Sequence, residues 1–207
     1  MSYIKHILDV ILEDINNIEI IHIGSDNESI EEALGVFAAA FPQHPLDEVR
    51  DFIMSSVNWD DSIKATSDGK TVGIYLIGDR QLSDVIDDEK AVPAEDLESY
   101  NHKTGVEGVA LGVLPEIKGI GVGKKLKDAL LSMTNADYIF GLQYKSLNNL
   151  QYWLKSRRVV AQSQGDEAVF ITLQDIKLDN TNFDSPNDIT SKTLDEAIRR
   201  LSNVIYC

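Results

Sequence analysis

The stretch Leu111-Gly112-Val113-Leu114-Pro115-Glu116-Ile117-Lys118-Gly119-Ile120-Gly121-Val122-Gly123-Lys124-Lys125-Leu126 decides how the rest of the chain is read. The apolar run Val106 to Leu114 has strand character, and Val122, Leu126, Leu130 and Met133 recur at the spacing of one buried helix face. Between them stand three alternate glycines, Gly119, Gly121 and Gly123. Glycine lets the main chain turn through positive φ and lets a ligand approach it closely. The unpaired amides and positive dipole end of the following helix favour an anion there. Lys118, Lys124, Lys125 and Lys127 add positive charge in a segment without acids, whereas the whole chain carries 34 acidic against 19 basic residues, a net charge of −15. An anionic ligand is therefore expected at this loop.

Two phosphate motifs fail. A nucleotide-triphosphate loop requires GxxxxGK[ST], but Lys118 stands where its first glycine belongs and Lys125 follows Lys124. A dinucleotide fingerprint requires GxGxxG, and Lys124 occupies the last glycine position after Gly119 and Gly121.

Outward from this stretch, Ile18 to Ile23 reads as a strand ending at Gly24, and Ser25-Asp26-Asn27 as the cap of a helix that runs to about Phe41. Pro45, Asp47 and Glu48 open another helix to about Val57. The segments 62–66 and 71–77 flank Asp68-Gly69, a hairpin signal. Residues 79–105 lose periodicity and are rich in acids, among them Asp84, Asp87 and Asp88. Downstream, Tyr138 to Leu142 is a strand, Leu147 to Lys155 a helix, and Val159 to Ala161 and Ala168 to Leu173 two further strands. Ile4, Ile7, Leu8, Ile11, Leu12 and Ile15 form an N-terminal amphipathic stripe, and Thr193 to Glu196 caps a C-terminal helix.

The 207 residues are 43% hydrophobic and 26% charged, which fits an ordinary globular domain and excludes collagen-like or wholly disordered chains. No apolar run approaches the ~20 residues that cross a bilayer. The N-terminus makes a poor signal peptide because Asp9, Glu13 and Asp14 interrupt its apolar pattern, so a cytoplasmic protein without a membrane partner is expected. The acidic balance disfavours nucleic acid. The single cysteine, Cys207, builds no disulfide, and His6, His22, His44 and His102 lack partners at metal spacing, so no metal is expected. On its apolar strand, His22 reads as structural.

The pattern Val113-x-Pro115-Glu116 followed by Lys118-x-x-Gly121-x-Gly123 resembles the pyrophosphate loop of the GNAT family of acyl-CoA-dependent N-acetyltransferases, with lysine in place of that family's glutamine or arginine. The order of elements from Ile18 to Leu173 resembles the same family. The resemblance implies an α/β (α+β) fold with a mixed, mostly antiparallel sheet flanked by helices. It divides the chain into an N-terminal helix (1–17), a GNAT-like domain (18–174, with the acidic insertion 79–105) and a C-terminal loop and helix (175–207). It further implies acetyl-CoA as co-substrate: main-chain groups of Leu111 and Val113 would pair with the pantetheine arm. The loop Lys118, Gly119, Ile120, Gly121, Val122, Gly123 and Lys124 would hold the pyrophosphate. The acetyl group would lie where the strands at Val106–Val113 and Tyr138–Leu142 splay apart, and a small-molecule or protein amine would attack it directly.

A lysine-like amine with pKa about 10.4 is neutral only to about one part in a thousand at pH 7, so a base helps. Glu107 stands where some members of the family carry a glutamate base; a solvated strand-end carboxylate is the alternative. For the proton returned to the leaving thiolate the resemblance points to Tyr152, with Asn149 as a cofactor contact and Tyr144 as a second candidate acid. Plain packing on a helix face is the alternative for Tyr152, as for Trp153 beside it. Asn149 lies closer to Tyr152 than the family's asparagine does, and Arg157-Arg158 replaces its usual Gly-Phe. The acidic insertion is either a lid that attracts a cationic acceptor or a solvated charge run. Two other readings stay open: a non-catalytic acyl-CoA-binding or interaction module, and a partner protein in which the terminal helices pair two chains into a homodimer.

Overall fold

The Asp68-Gly69 signal lies at the centre of the architecture. In the computed structural model Asp68 and Gly69 both take positive φ, 49° and 74°, and fold β2 (Val57–Ser67) onto β3 (Lys70–Gly78) as an antiparallel hairpin. The structure describes residues 17–93, 97–100, 102–144, 157–163 and 169–176, all within the compact unit Met1–Ile176; the unit Lys177–Cys207 lies outside the described residues. The N-terminal stripe, the helix read at 147–155 and the C-terminal helix also fall outside them.

Before the hairpin come β1 (Glu19–His22), α1 (Asn27–Ala40) and α2 (Leu46–Ser56). Asp26 caps α1 by accepting from the Ser29 amide at 2.9 Å, and this bond holds its carboxyl below the usual range. After the hairpin come α3 (Leu82–Asp88), β4 (Val92–Pro93), β5 (Gly105–Val113), α4 (Val122–Met133), β6 (Tyr138–Tyr144), β7 (Arg158–Gln162) and β8 (Val169–Asp175). The strands form one sheet in the order β1-β2-β3-β5-β6-β8-β7-β4, and β5–β6 is its parallel pair. The expected mixed, mostly antiparallel sheet is thus present.

Side chains alternate across the pleat and divide the core. Tyr75 and Ile77 of β3 pack with Val122, Leu126 and Leu130 of α4. Ile74 and Leu76 face the other way, into the cluster of Leu34 and Phe37 from α1 and Ile53 from α2. Lys64 of β2 is buried and reaches α1 through Glu32 (2.9 Å) and Ser29 (3.2 Å).

Three expectations are corrected. The described residues between 79 and 105 are not irregular: Leu82, Val85 and Ile86 of α3 pack with Ala91 and Tyr100 against Tyr138, Phe140, Ile171 and Leu173, and β4 pairs with β7 at the sheet edge. Asp84, Asp87 and Asp88 lie on the exposed side of a short amphipathic helix whose apolar spacing they obscured in sequence. His22 is exposed because β1 is an edge strand: alternation puts it on the face of Ile18 and Ile20, where it borders an open cavity lined by Ile77, Leu130 and Ala136. Met133 is 39% exposed at the end of α4, past the face buried by Val122, Leu126 and Leu130. No helix among the described residues is long and apolar enough to cross a membrane.

Candidate active site

The site is organised by a change of partner along β5. Gly105, Val106 and Glu107 pair with Tyr138, Ile139 and Phe140 of β6, and there the parallel ladder ends. Among the described residues, β5 from Gly108 onward pairs only with β3, while β6 continues from Gly141 against β8. A bulge accompanies the parting: Leu76 faces Ala110 and Ile77 faces Gly108, so Val109 is extra and both Val109 and Ala110 pack toward α1 and α2.

Beyond the bulge the hydrogen-bond phase is fixed. The Leu114 amide donates to the Val72 carbonyl at 3.0 Å, and antiparallel pairs alternate between bonded and non-bonded, so Gly112 bonds to β3. Leu111 and Val113 therefore turn their main-chain groups to the side that β6 has vacated.

The loop follows directly. Pro115–Ile117 forms a 3-10 turn; Gly119 has φ 94°, and Gly121, the N-cap of α4, has φ 99°. A methyl group on either glycine would meet nothing within 4 Å, so the left-handed backbone rather than crowding calls for glycine there. At Gly123 a methyl would have only Val113 Cγ2 nearby, at 3.7 Å, which sets the head of α4 beside the end of β5 and leaves open space over its amides. The first intrahelical bond is Lys125 N–H to the Gly121 carbonyl, so the amides of Val122, Gly123 and Lys124 precede it. The first turn holds no acid, Lys118 is exposed, and Lys124 folds back to Asp128. These donors and this open space fit a phosphate-bearing ligand.

Glu107, at the last rung of the ladder, is 2% exposed, which excludes the solvated-carboxylate reading. Both its oxygens are engaged by Arg80: Nε donates to Oε2 at 2.9 Å and Nη2 to Oε1. The Glu107 bond raises the pKa of Arg80 further and keeps the guanidinium charged; Asp88 of α3 lies 3.6 Å from it. Gly78 leaves room for the pair, since a methyl there would lie 2.6 Å from Glu107 Oε2.

Tyr152 and Asn149 lie outside the described residues, and Tyr144 closes β6. Sequence reasoning did not single out Arg80, Tyr75, Gly108, Gly141 or a site role for Arg157. Glycines inside the strand patterns of β5 and β6 were the available signal, because such glycines mark close backbone approach.

No family model matches the chain, and no curated protein matches it. Among solved structures it is similar to an acetyltransferase of the GNAT family from Bacillus cereus, with TM-score 0.53 and 12% identity over 76% of this chain and 96% of that one. It is similar to Arabidopsis thaliana Naa50 in complex with the bisubstrate analogue CoA-Ac-MVNAL, with TM-score 0.51 and 14% identity over 76% and 98%. It is also similar to the Drosophila melanogaster polyamine N-acetyltransferase that forms N-acetylagmatine, with TM-score 0.53 and 13% identity over 76% and 99%. With its splayed parallel pair and glycine loop, the chain has the fold of the GNAT acetyltransferases.

Proposed function

We propose that the protein is an N-acetyltransferase that uses acetyl-CoA to acetylate a primary amine, with a cationic amine as the acceptor class. The observation that carries this reading is one continuous line of donors and acceptors: the outward-turned main-chain groups of Leu111 and Val113 lead to the open amides at the head of α4. When bound, acetyl-CoA supplies the acetyl group as a thioester. Leu111 and Val113 align its pantetheine amides, the loop from Gly119 to Lys124 with Lys118 holds its pyrophosphate, and the bulge at Val109 opens the strands for the reacting end. Glu107 takes the amine's proton, directly or through water, once one oxygen has parted from Arg80. Asn149 remains a proposed cofactor contact on resemblance alone. The exposed acids of α3, Asp84, Asp87 and Asp88, support a cationic acceptor, as does the amine named for the Drosophila enzyme.

The Arg80–Glu107 pair favours a second reading, a non-catalytic acyl-CoA-binding module, because it occupies the one base candidate. Calorimetry with acetyl-CoA on the wild type and on Gly121→Glu, followed by turnover with a panel of amines, tests both. Micromolar binding that Gly121→Glu abolishes supports the cofactor site. Turnover supports the enzyme, binding without turnover supports the module, and no binding by the folded wild type refutes both.

A further inference from the structure

We propose that Tyr75 donates the proton to the departing thiolate and that Arg157 is the positioning residue that holds its hydroxyl; this rests on the acetyltransferase reading above. Tyr75 belongs to β3, but its ring passes across β5. A methyl on Gly108 would lie 3.0 Å from the hydroxyl and 3.2 Å from Cε2, so Gly108 is the gap through which the phenol reaches the β6 side. Across the split, Gly141 follows Phe140, the last residue of β6 that pairs with β5. A methyl there would lie 3.4 Å from Arg157 Nη1 and 2.9 Å from the Gly108 carbonyl oxygen. Arg157 Nη2 donates to the Tyr75 hydroxyl at 3.0 Å, and the two residues are 2% and 7% exposed. One phenol and one guanidinium thus bracket the point where β5 and β6 part.

The direction of that bond matters. Guanidinium has no acceptor, so the Tyr75 oxygen receives from Arg157 and the phenol's own proton is left to donate elsewhere. From Val113 back to Gly108 the strand spans about 16 Å. An arm whose phosphates rest on α4 and whose amides follow Val113 and Leu111 therefore brings its sulfur to the Tyr75 level. There the amine nitrogen forms a bond to the thioester carbonyl carbon and the C–S bond breaks with its electron pair on sulfur. Sulfur then takes the Tyr75 proton while the amine's proton leaves to Glu107 or water, and Tyr75, buried while the arm is bound, regains a proton from water admitted when the products leave. Arg157 compensates the charge left on the phenol oxygen in the interval.

The test measures acetyl-CoA affinity and steady-state kinetics of the full chain with the best amine of the panel, for the wild type, Tyr75→Phe, Arg157→Lys, Arg157→Met and Tyr152→Phe. The expected result is a kcat lowered about a hundredfold in Tyr75→Phe, with KM and acetyl-CoA affinity within threefold of wild type. Arg157→Met should lose kcat in the same way, with partial recovery in Arg157→Lys and on adding guanidinium ion to Arg157→Met. If Tyr75→Phe turns over like the wild type while Tyr152→Phe does not, the assignment is wrong. A loss of kcat that merely follows lost acetyl-CoA affinity or a lowered melting temperature assigns Tyr75 a packing role and also overturns it. Absence of turnover in the wild type overturns the acetyltransferase reading together with this inference, whereas the other failures leave that reading standing.

Discussion

The two ends of β5 are built on opposite principles. Its first three residues are paired with β6, and Glu107, the last of them, is paired with β3 as well and is buried and ion-paired. Its later residues are bonded on one side only and lead into a loop that keeps two glycines at positive φ and the amides of a helix N-terminus open. The closed end holds its carboxylate with bonds from within the chain. At the open end, main-chain groups on one side of the strand have no strand partner among the described residues. A strand that changes from one condition to the other within a single bulge fixes where a ligand can enter.

The comparison can be broken hardest at the closed end. Glu107→Ala leaves the Arg80 charge without its carboxylate and should cost about 2–4 kcal/mol in urea unfolding, less than a wholly buried pair because Arg80 is 27% exposed. The double variant Arg80→Met/Glu107→Leu should recover most of this loss, and failure to do so would mean that the pair is not the source. At the junction, Gly141→Ala forces a methyl against the Gly108 carbonyl and should cost about 1–3 kcal/mol in the same assay.

At the open end the two glycines should separate stability from binding. Gly121→Ala places a side chain at φ 99° and should lose about 1–2 kcal/mol, whereas Gly123→Ala, inside the helix and uncrowded, should be neutral or gain up to about 1 kcal/mol. Acetyl-CoA affinity by calorimetry should nevertheless fall severalfold in both, because Gly123→Ala covers the amides. Unchanged affinity in Gly123→Ala would show that the loop is a packing turn.

The smallest effect lies away from β5. Glu32 of α1 is held below its ordinary pKa of 4.5, first by the Thr71 hydroxyl and then by Lys64. A depressed carboxyl contributes stability above 4.5 that is lost as pH falls through its lower folded value. Glu32→Gln should therefore melt slightly below wild type at pH 7 and converge with it in acid.

How legible these features were depended on how local their cause is. Asp68-Gly69, the Asp26 cap, the α4 stripe and the glycine loop each announce themselves within a few residues, since turns, caps and helix faces are fixed by neighbouring positions. Glu107 could be singled out as a carboxylate on the right strand, but its burial and its engagement by Arg80 could not, because they depend on where the segment after β3 turns. The insertion was misread because Leu82, Val85 and Ile86 show a helix face only over two turns, too few to stand out among the acids. Tyr75 and Arg157, 82 positions apart, left no mark of their pairing in the sequence.

By itself, then, the sequence determined the order of the described strands and helices outside residues 79–105, the hairpin, and a positively charged glycine loop at a helix head, all products of local backbone preference and periodicity. Only the tertiary structure decided that β5 parts from β6 after Glu107, that this carboxylate is closed by Arg80, and that Tyr75 and Arg157 meet at the split. Those outcomes follow from which strand lies beside which and in what register, and register is set by packing across the whole sheet.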